Sequence, residues 1–274
     1  MKIILSRKGF DSANGGCASP VFSDGTMLSM PIPSEEGAIS FNDVYYNGMS
    51  YADLLKQINP KCEYNACHLD PDINPNMRKE TILNWIPAFG QKSSSSSYLH
   101  NANVEVGDIF LFFGWYHKVV QDNGKYRYTT KNDKYYVNNF FDYSDFHAIW
   151  GYLQIGEIIT DKEKIKKFYW HPHSQENFLS DNTNTLFIPS KSLSFNPDLP
   201  GYGTLKCCKD RILTMEGKTK GNWKREEAFA PENVYGNRKN SSKYPDCIYY
   251  KGIWQELVLK ETASAYNWAK TIIE

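Results

Sequence analysis

Two long apolar runs, VEVGDIFLFFGWY ending at Tyr116 and HAIWGYLQIGEIIT beginning at His147, limit the folds open to this chain more than anything else in it. Their β-branched and aromatic content, with turn residues on either side, reads as strand, and their unbroken apolar character places both faces of each strand in a core. Gly107-Asp108 forms the turn that leads into the first run, while Gly151 and Gly156 interrupt the second, where strand glycines mark a bulge or a close approach of another backbone. The two runs are expected to pair or to neighbour one another, with Met1 to Arg7 as a further interior strand. Strands outnumber helices and do not alternate with them, so the class is α+β: a mixed, strand-rich single domain over residues 1–274.

The remaining segments fill in this outline. PVFS and TMLSMPIP flank Asp24-Gly25, a hairpin-type turn, and MSYADLLKQI places Tyr51, Leu54, Leu55 and Ile58 on one helical face before Pro60. RKETILNWIPAF predicts a short helix, KSSSSS at 92–97 a mobile surface loop, and QDNGKYRYTTKNDKYY a hairpin. NTLFIPS, LKCC and RILTM predict short strands, and an irregular stretch runs from EGKTKGNWKREEAF to KYPD. IWQELVLKETASAYNWAKTIIE predicts a strand and then a helix buried through Trp268 and Ile272.

Lys plus Arg and Asp plus Glu are 31 each, a net charge of zero. Sequence-blind binding to duplex DNA draws on a basic excess that releases counterions, and this chain has none, so any nucleic-acid contact is local. No apolar run approaches the ~18 residues of a membrane span, the opening apolar stretch is too short for a signal peptide, and mean hydropathy is -0.56. Together with six cysteines in no CxxC pair, these features predict a cytoplasmic protein with reduced thiols and no membrane partner. Cys62 and Cys67 are too far apart for a zinc knuckle, and no metal site is assigned. Aromatic residues are 15% of the chain, a supply of rings for a pocket that stacks a planar ligand, with Trp115, Trp170 and Trp223 as candidates.

Candidate polar chemistry begins at the opening, MKIILSRKGFDSANGG. Strand alternation puts Arg7 with Ile3 and Leu5, and Lys8 with Ile4 and Ser6, so Arg7 and Lys8 should not grip one ligand together unless the strand twists off early. Ser6, Arg7, Lys8, Ser12 and the amides near Gly15 and Gly16 form the candidate ligand set, the glycine pair allowing an anion nest, with Asp11 as a candidate for proton transfer. An Arg7–Asp11 ion pair that merely ties down a loop fits the same residues. HLDPDI supplies His68, Asp70 and Asp72 in a turn, where paired carboxylates could hold a metal or act as acid and base, and HPH supplies His171 and His173, which suit proton transfer; both patterns also suit an ordinary turn. His100 and His147 are lone histidines, and Trp223-Lys224-Arg225 pairs a ring with two cations. No GxxxxGK[ST], GxGxxG or GxSxG is present.

MKIILSRKGFDSANGG, SPVFSDGTMLSMPIP, VGDIFLFFGWY, HAIWGYLQIGEI, HPH, NTLFIPS and WQELV, in that order, resemble the third of the nucleotide-modification-associated domain families, prokaryotic and phage proteins linked by genomic context to enzymes that alter DNA bases. The chain departs from that pattern at Ala13 and Asn222. The resemblance implies a nucleotide or locally unpaired or modified DNA as ligand and base-modification enzymes as protein partners; it leaves the cofactor unknown. Three functions stay open: an enzyme of base or nucleotide modification, a non-catalytic reader of a modified base, and a structural or toxin-neutralising protein. The turn before an apolar aromatic strand, followed by a strand ending in IGEI, also resembles the core of PUA, EVE and ASCH barrels, which would place a barrel core at residues 104–160.

Overall fold

A computed structural model describes residues 1–35, 39–133, 139–238 and 244–274. Ile3–Arg7 lies inside a nine-stranded sheet, parallel to Ile109–Asp122 on one side and antiparallel to Glu256–Leu259 on the other. Ile109–Asp122 then pairs antiparallel with Phe146–Ile159, as the two apolar runs predict, and the path continues through Thr185–Pro189 to Phe89–Gln91. Three short strands branch from this path: Ser19–Val21, Lys125–Tyr128 and Tyr202–Thr204. Both glycines of the second run sit at register shifts, one between Ile149 and Gly151 and one between Ile155 and Glu157. A Cβ on Gly156 would lie 2.7 Å from the Ser190 backbone, so that approach depends on glycine.

The sheet curls into a half-barrel. Phe89, on one edge strand, meets Phe110 and Phe112 of the central strand at ring separations of 4.8 and 5.1 Å, contacts that a flat sheet would forbid. Strand alternation divides the core accordingly: Ile4, Phe110, Phe112 and Val258 point inside the curl, while Ile3, Leu5, Leu111 and Leu257 point to the outer face. The curl also brings the two edge strands together, and the Gln91 side chain donates a hydrogen bond to Glu256 across the seam. Among the described residues, 104–160 supply the two central strands of a sheet whose other members come from as far apart as Ile3 and Leu259.

Helix α1, Tyr51–Ile58, is capped by Ser50 and buries the expected face. Helix α2, Ser93–Asn101, occupies the serine run expected to be a mobile loop. Ser95 Oγ donates to Gln255, Ser96 Oγ pairs with Thr185 and Leu99 is buried, so contacts to remote strands order a segment whose composition alone favours disorder. Two four-residue helices follow, α3 Lys162–Ile165 and α4 Glu176–Leu179, and α5, Ala263–Ile273, caps on Thr262 and closes the outer face with Ala265, Ala269 and Ile272.

RKETILNWIPAF forms turns leading into the strand Phe89–Gln91 instead of a helix, since Arg78 and Trp85 are both bound to the buried Asp72 carboxylate. LKCC is not a strand, and RILTM makes only isolated bridges at Ile212 and Thr214. The tail of the expected hairpin at 134–136 and part of the irregular stretch at 239–243 lie outside the described residues.

Candidate functional site

The opening strand ends at Arg7, and Gly9, at φ +89°, turns the chain away. Alternation carries Ser6 and Lys8 to the inside of the curl at the seam, where Ser6 stands opposite Glu256 in the pairing register. Ser6 Oγ donates to Glu256 Oε1 at 3.0 Å, and Lys8 Nζ lies 3.7 Å from that same oxygen, 3.8 Å from Asp70 Oδ2 and 4.3 Å from the centre of the Phe89 ring. An almost wholly buried ammonium thus sits between two buried carboxylates, an arrangement that keeps an otherwise prohibitive charge inside the protein.

Asp70 is held from several sides. Its Oδ1 accepts the Gly90 amide at 2.7 Å and lies 3.2 Å from His171 Nε2. His171 Nδ1 accepts the His173 amide at 3.2 Å, which leaves Nε2 as the protonated nitrogen facing the carboxylate. Asp70 Oδ2 opens instead toward Lys8 and toward His68 Nε2 at 3.9 Å. His173 packs against Gly90, where a Cβ would fall 2.3 Å from the ring, so only glycine there lets the imidazole lie on the strand. The His68 ring stacks on Phe178 at 5.1 Å.

Environment separates these groups electrostatically. Burial alone would raise the Asp70 carboxyl, but its contact with His171 and the charge of Lys8 hold it well below the ordinary carboxylate range. Burial pushes Glu256 up to about 7 against the pull of Lys8 and Ser6, and its Oε2 has no hydrogen-bond partner among the described residues. Burial lowers His68 to about 4 and His173 to about 3, so both rings are neutral at physiological pH.

These groups line or underlie a cavity of about 560 Å³. At its rim stand Arg7, Arg238, Lys92 and the first turn of α2, Ser93 to Ser95. Arg238 stacks on Tyr98 at 3.4 Å and Lys92 on Phe178 at 3.9 Å, so both cations are positioned by rings. A second cavity of about 460 Å³, bordered by Asp24, Lys118, Cys207 and Glu216, gathers no comparable set of buried ionisable groups.

The expected site residues divide. His68, Asp70 and His173 line the cavity with Arg7, Lys8 and Asp11, and Ser6 and His171 support them from behind. Arg7 and Lys8 do border one cavity: Lys8 follows the alternation to the inside of the curl, and Arg7, the last strand residue before the turn at Gly9, reaches the same cavity at its rim. The expected nest at Gly15 and Gly16 is filled by the chain itself: Asp11 Oδ1 accepts the Ala13 and Asn14 amides, and Asp11 O accepts the Gly16 amide. Gly15 O is taken by Tyr64 and Cys62, and Ser12 is exposed away from the cavity lining. Asp11 Oδ2 meets Arg7 at 3.3 Å, so the ion pair weighed against a pocket wall exists and itself borders the pocket.

None of the three tryptophans lines the cavity. Trp223 is wholly buried, stacks on Tyr250 at 4.6 Å and donates to His147 Nδ1, so it belongs to the outer core and His147 is its hydrogen-bond acceptor. Trp115 lies under Lys220, and Trp170 packs on Phe168 and Tyr169. Asp72 is buried against Arg78 at 2.7 Å, and His100 is exposed on α2.

Sequence reasoning missed Glu256, Gln91, Arg238, Lys92 and the serine turn. The one local signal was a glutamate on the strand ELVL, where an acidic side chain shares a face with the buried Val258. No curated protein and no solved structure matches the chain. One family profile does, over residues 2–260, and by that near-complete match the chain belongs to the family described as nucleotide modification associated domain 3.

Proposed function

We propose that the seam cavity binds a nucleotide or nucleobase and that the chain is an enzyme that modifies it, with proton transfer at the cavity floor. The observation that carries this reading is the buried set Lys8, Asp70, Glu256, His68, His171 and His173 beneath a cationic rim. A module that only read a base would need flat rings for stacking, and among the described residues Phe178 is the one Phe, Tyr or Trp in the lining. Burying several ionisable groups instead costs stability, an expense that function explains. Arg7, Arg238 and Lys92 with the first turn of α2 suit the phosphate end of the ligand. At the floor, the neutral imidazoles of His68 and His173 present lone pairs beside an ionised Asp70, while Glu256 gives and accepts a proton near neutrality and acts through Lys8. The cavity volume suits one nucleotide.

Mass spectrometry of nucleosides from DNA and nucleotide pools of cells with and without the gene tests the reaction, and calorimetric titration with nucleoside mono- and triphosphates tests the ligand. A nucleoside gained or lost with the gene supports the enzyme. An unchanged profile with retained binding to modified nucleotides supports the reader, and no binding with no change refutes the reading of the cavity altogether.

A further inference from the structure

His68, Asp70 and His173 each offer a ligand atom to the cavity floor, and those atoms lie within 4.8 Å of one another. We propose that these three side chains bind a first-row divalent transition-metal ion with coordination positions left open to the cavity. Two imidazoles and one carboxylate on one side of an ion form a recurrent open site for such metals.

Two independent features of the surroundings favour a metal over a hydrogen-bonded cluster, and a third makes room for its charge. First, the free nitrogen of His173 is fixed. Asn184 Nδ2 donates to the His173 carbonyl at 3.0 Å, so Asn184 Oδ1, 2.6 Å from Nδ1, is the acceptor and Nδ1 carries the proton. Nε2 is then a bare lone pair, and an imidazole whose far nitrogen donates to an oxygen is the usual support for a metal-binding histidine. Second, the Asp70 carboxylate is divided: Oδ1 takes the Gly90 amide and faces His171, while Oδ2 has, among the described residues, Lys8 at 3.8 Å and His68 at 3.9 Å, both beyond hydrogen-bond reach. A buried carboxylate oxygen with its neighbours drawn back leaves the space that an ion occupies. Third, Lys8 does not forbid a cation, because its ammonium has a second carboxylate, Glu256, at 3.7 Å and stays paired when Asp70 turns to a metal.

This inference shares the cavity with the proposed function but does not rest on the nucleotide, and the two are tested apart: metal binding is read without nucleotide, and nucleotide binding with chelator present. Metal-stripped protein is titrated with Co²⁺ and followed by visible absorption, with Zn²⁺ titration by calorimetry beside it. The expected result is one ion per chain, with binding weakened at least roughly 100-fold in His68→Gln and Asp70→Asn and 10- to 100-fold in Asn184→Ala, which alters only the support of His173. His100→Gln, an exposed histidine, should bind as the parent does and so excludes adventitious surface imidazole binding. Melting temperatures of the metal-free variants establish folding; should Asp70→Asn not fold, His68→Gln, at the more solvent-reached position, carries the test. Absence of binding up to about 1 mM Co²⁺ or Zn²⁺, or binding unchanged in His68→Gln and Asn184→Ala, overturns the proposal.

Discussion

Glu256→Gln tests the seam directly, because it keeps the shape of the side chain and the oxygen that accepts from Ser6 and Gln91 while removing the titration. The buried carboxyl is raised from 4.5 to about 7. Between those values the folded chain keeps a proton that the unfolded chain has released, so stability falls as pH rises through the window and is lowest above it. Each unit corresponds to about 1.4 kcal/mol, giving about 3 kcal/mol over the whole window and about 2 to 3 kcal/mol between pH 5 and pH 8. Glutamine does not titrate. Measured against the parent by urea unfolding, the variant should therefore gain about 2 to 3 kcal/mol in relative stability from pH 5 to pH 8, or roughly 5 °C in melting temperature. Parallel pH profiles for the two proteins would mean that Glu256 ionises at its ordinary value, that the seam is open to water, and that the assignment of a carboxyl that titrates near neutrality behind Lys8 is wrong.

Arg7→Met should cost only about 1 kcal/mol, because the Arg7–Asp11 pair is partly solvated at 22% and 15% exposure, but it should weaken nucleotide binding at least tenfold; a fall of 3 kcal/mol or more in unfolding free energy, or unaltered affinity, would make the residue scaffold. Asp11→Asn keeps the oxygen that gathers the Ala13 and Asn14 amides, so circular dichroism and melting should change little, and a collapsed loop would contradict that geometry. Trp223→Ala should destabilise by about 3 to 5 kcal/mol through loss of outer-core packing and of the bond to His147, while nucleotide affinity in the folded fraction stays at the parental value; a selective loss of affinity would restore Trp223 to the site.

Local pattern decided a definite share of this protein. The interior position of Ile3–Arg7, the pairing of Ile109–Asp122 with Phe146–Ile159, the register shifts at Gly151 and Gly156, helix α1 and the closing strand and helix were all legible, because apolar periodicity and backbone freedom act over a few consecutive residues. HLDPDI and HPH were legible as candidate chemistry, since histidine and aspartate announce themselves by type. Which of them meet was not. Asp70 faces the cavity and Asp72 faces Arg78 because a turn, unlike a strand, sends residues two apart in different directions. The glycine pair suggested an anion nest, yet the short loop lets the Asp11 carboxylate take the neighbouring Ala13 and Asn14 amides and the Asp11 carbonyl take the Gly16 amide. The serine run looked disordered because serine carries little helix preference, and strands far away in sequence hold it as α2. Above all, Lys8, Asp70, His173 and Glu256 come together only because the sheet curls until its edge strands face each other, and curl is a property of the whole sheet, summed over strands that no sequence window contains together.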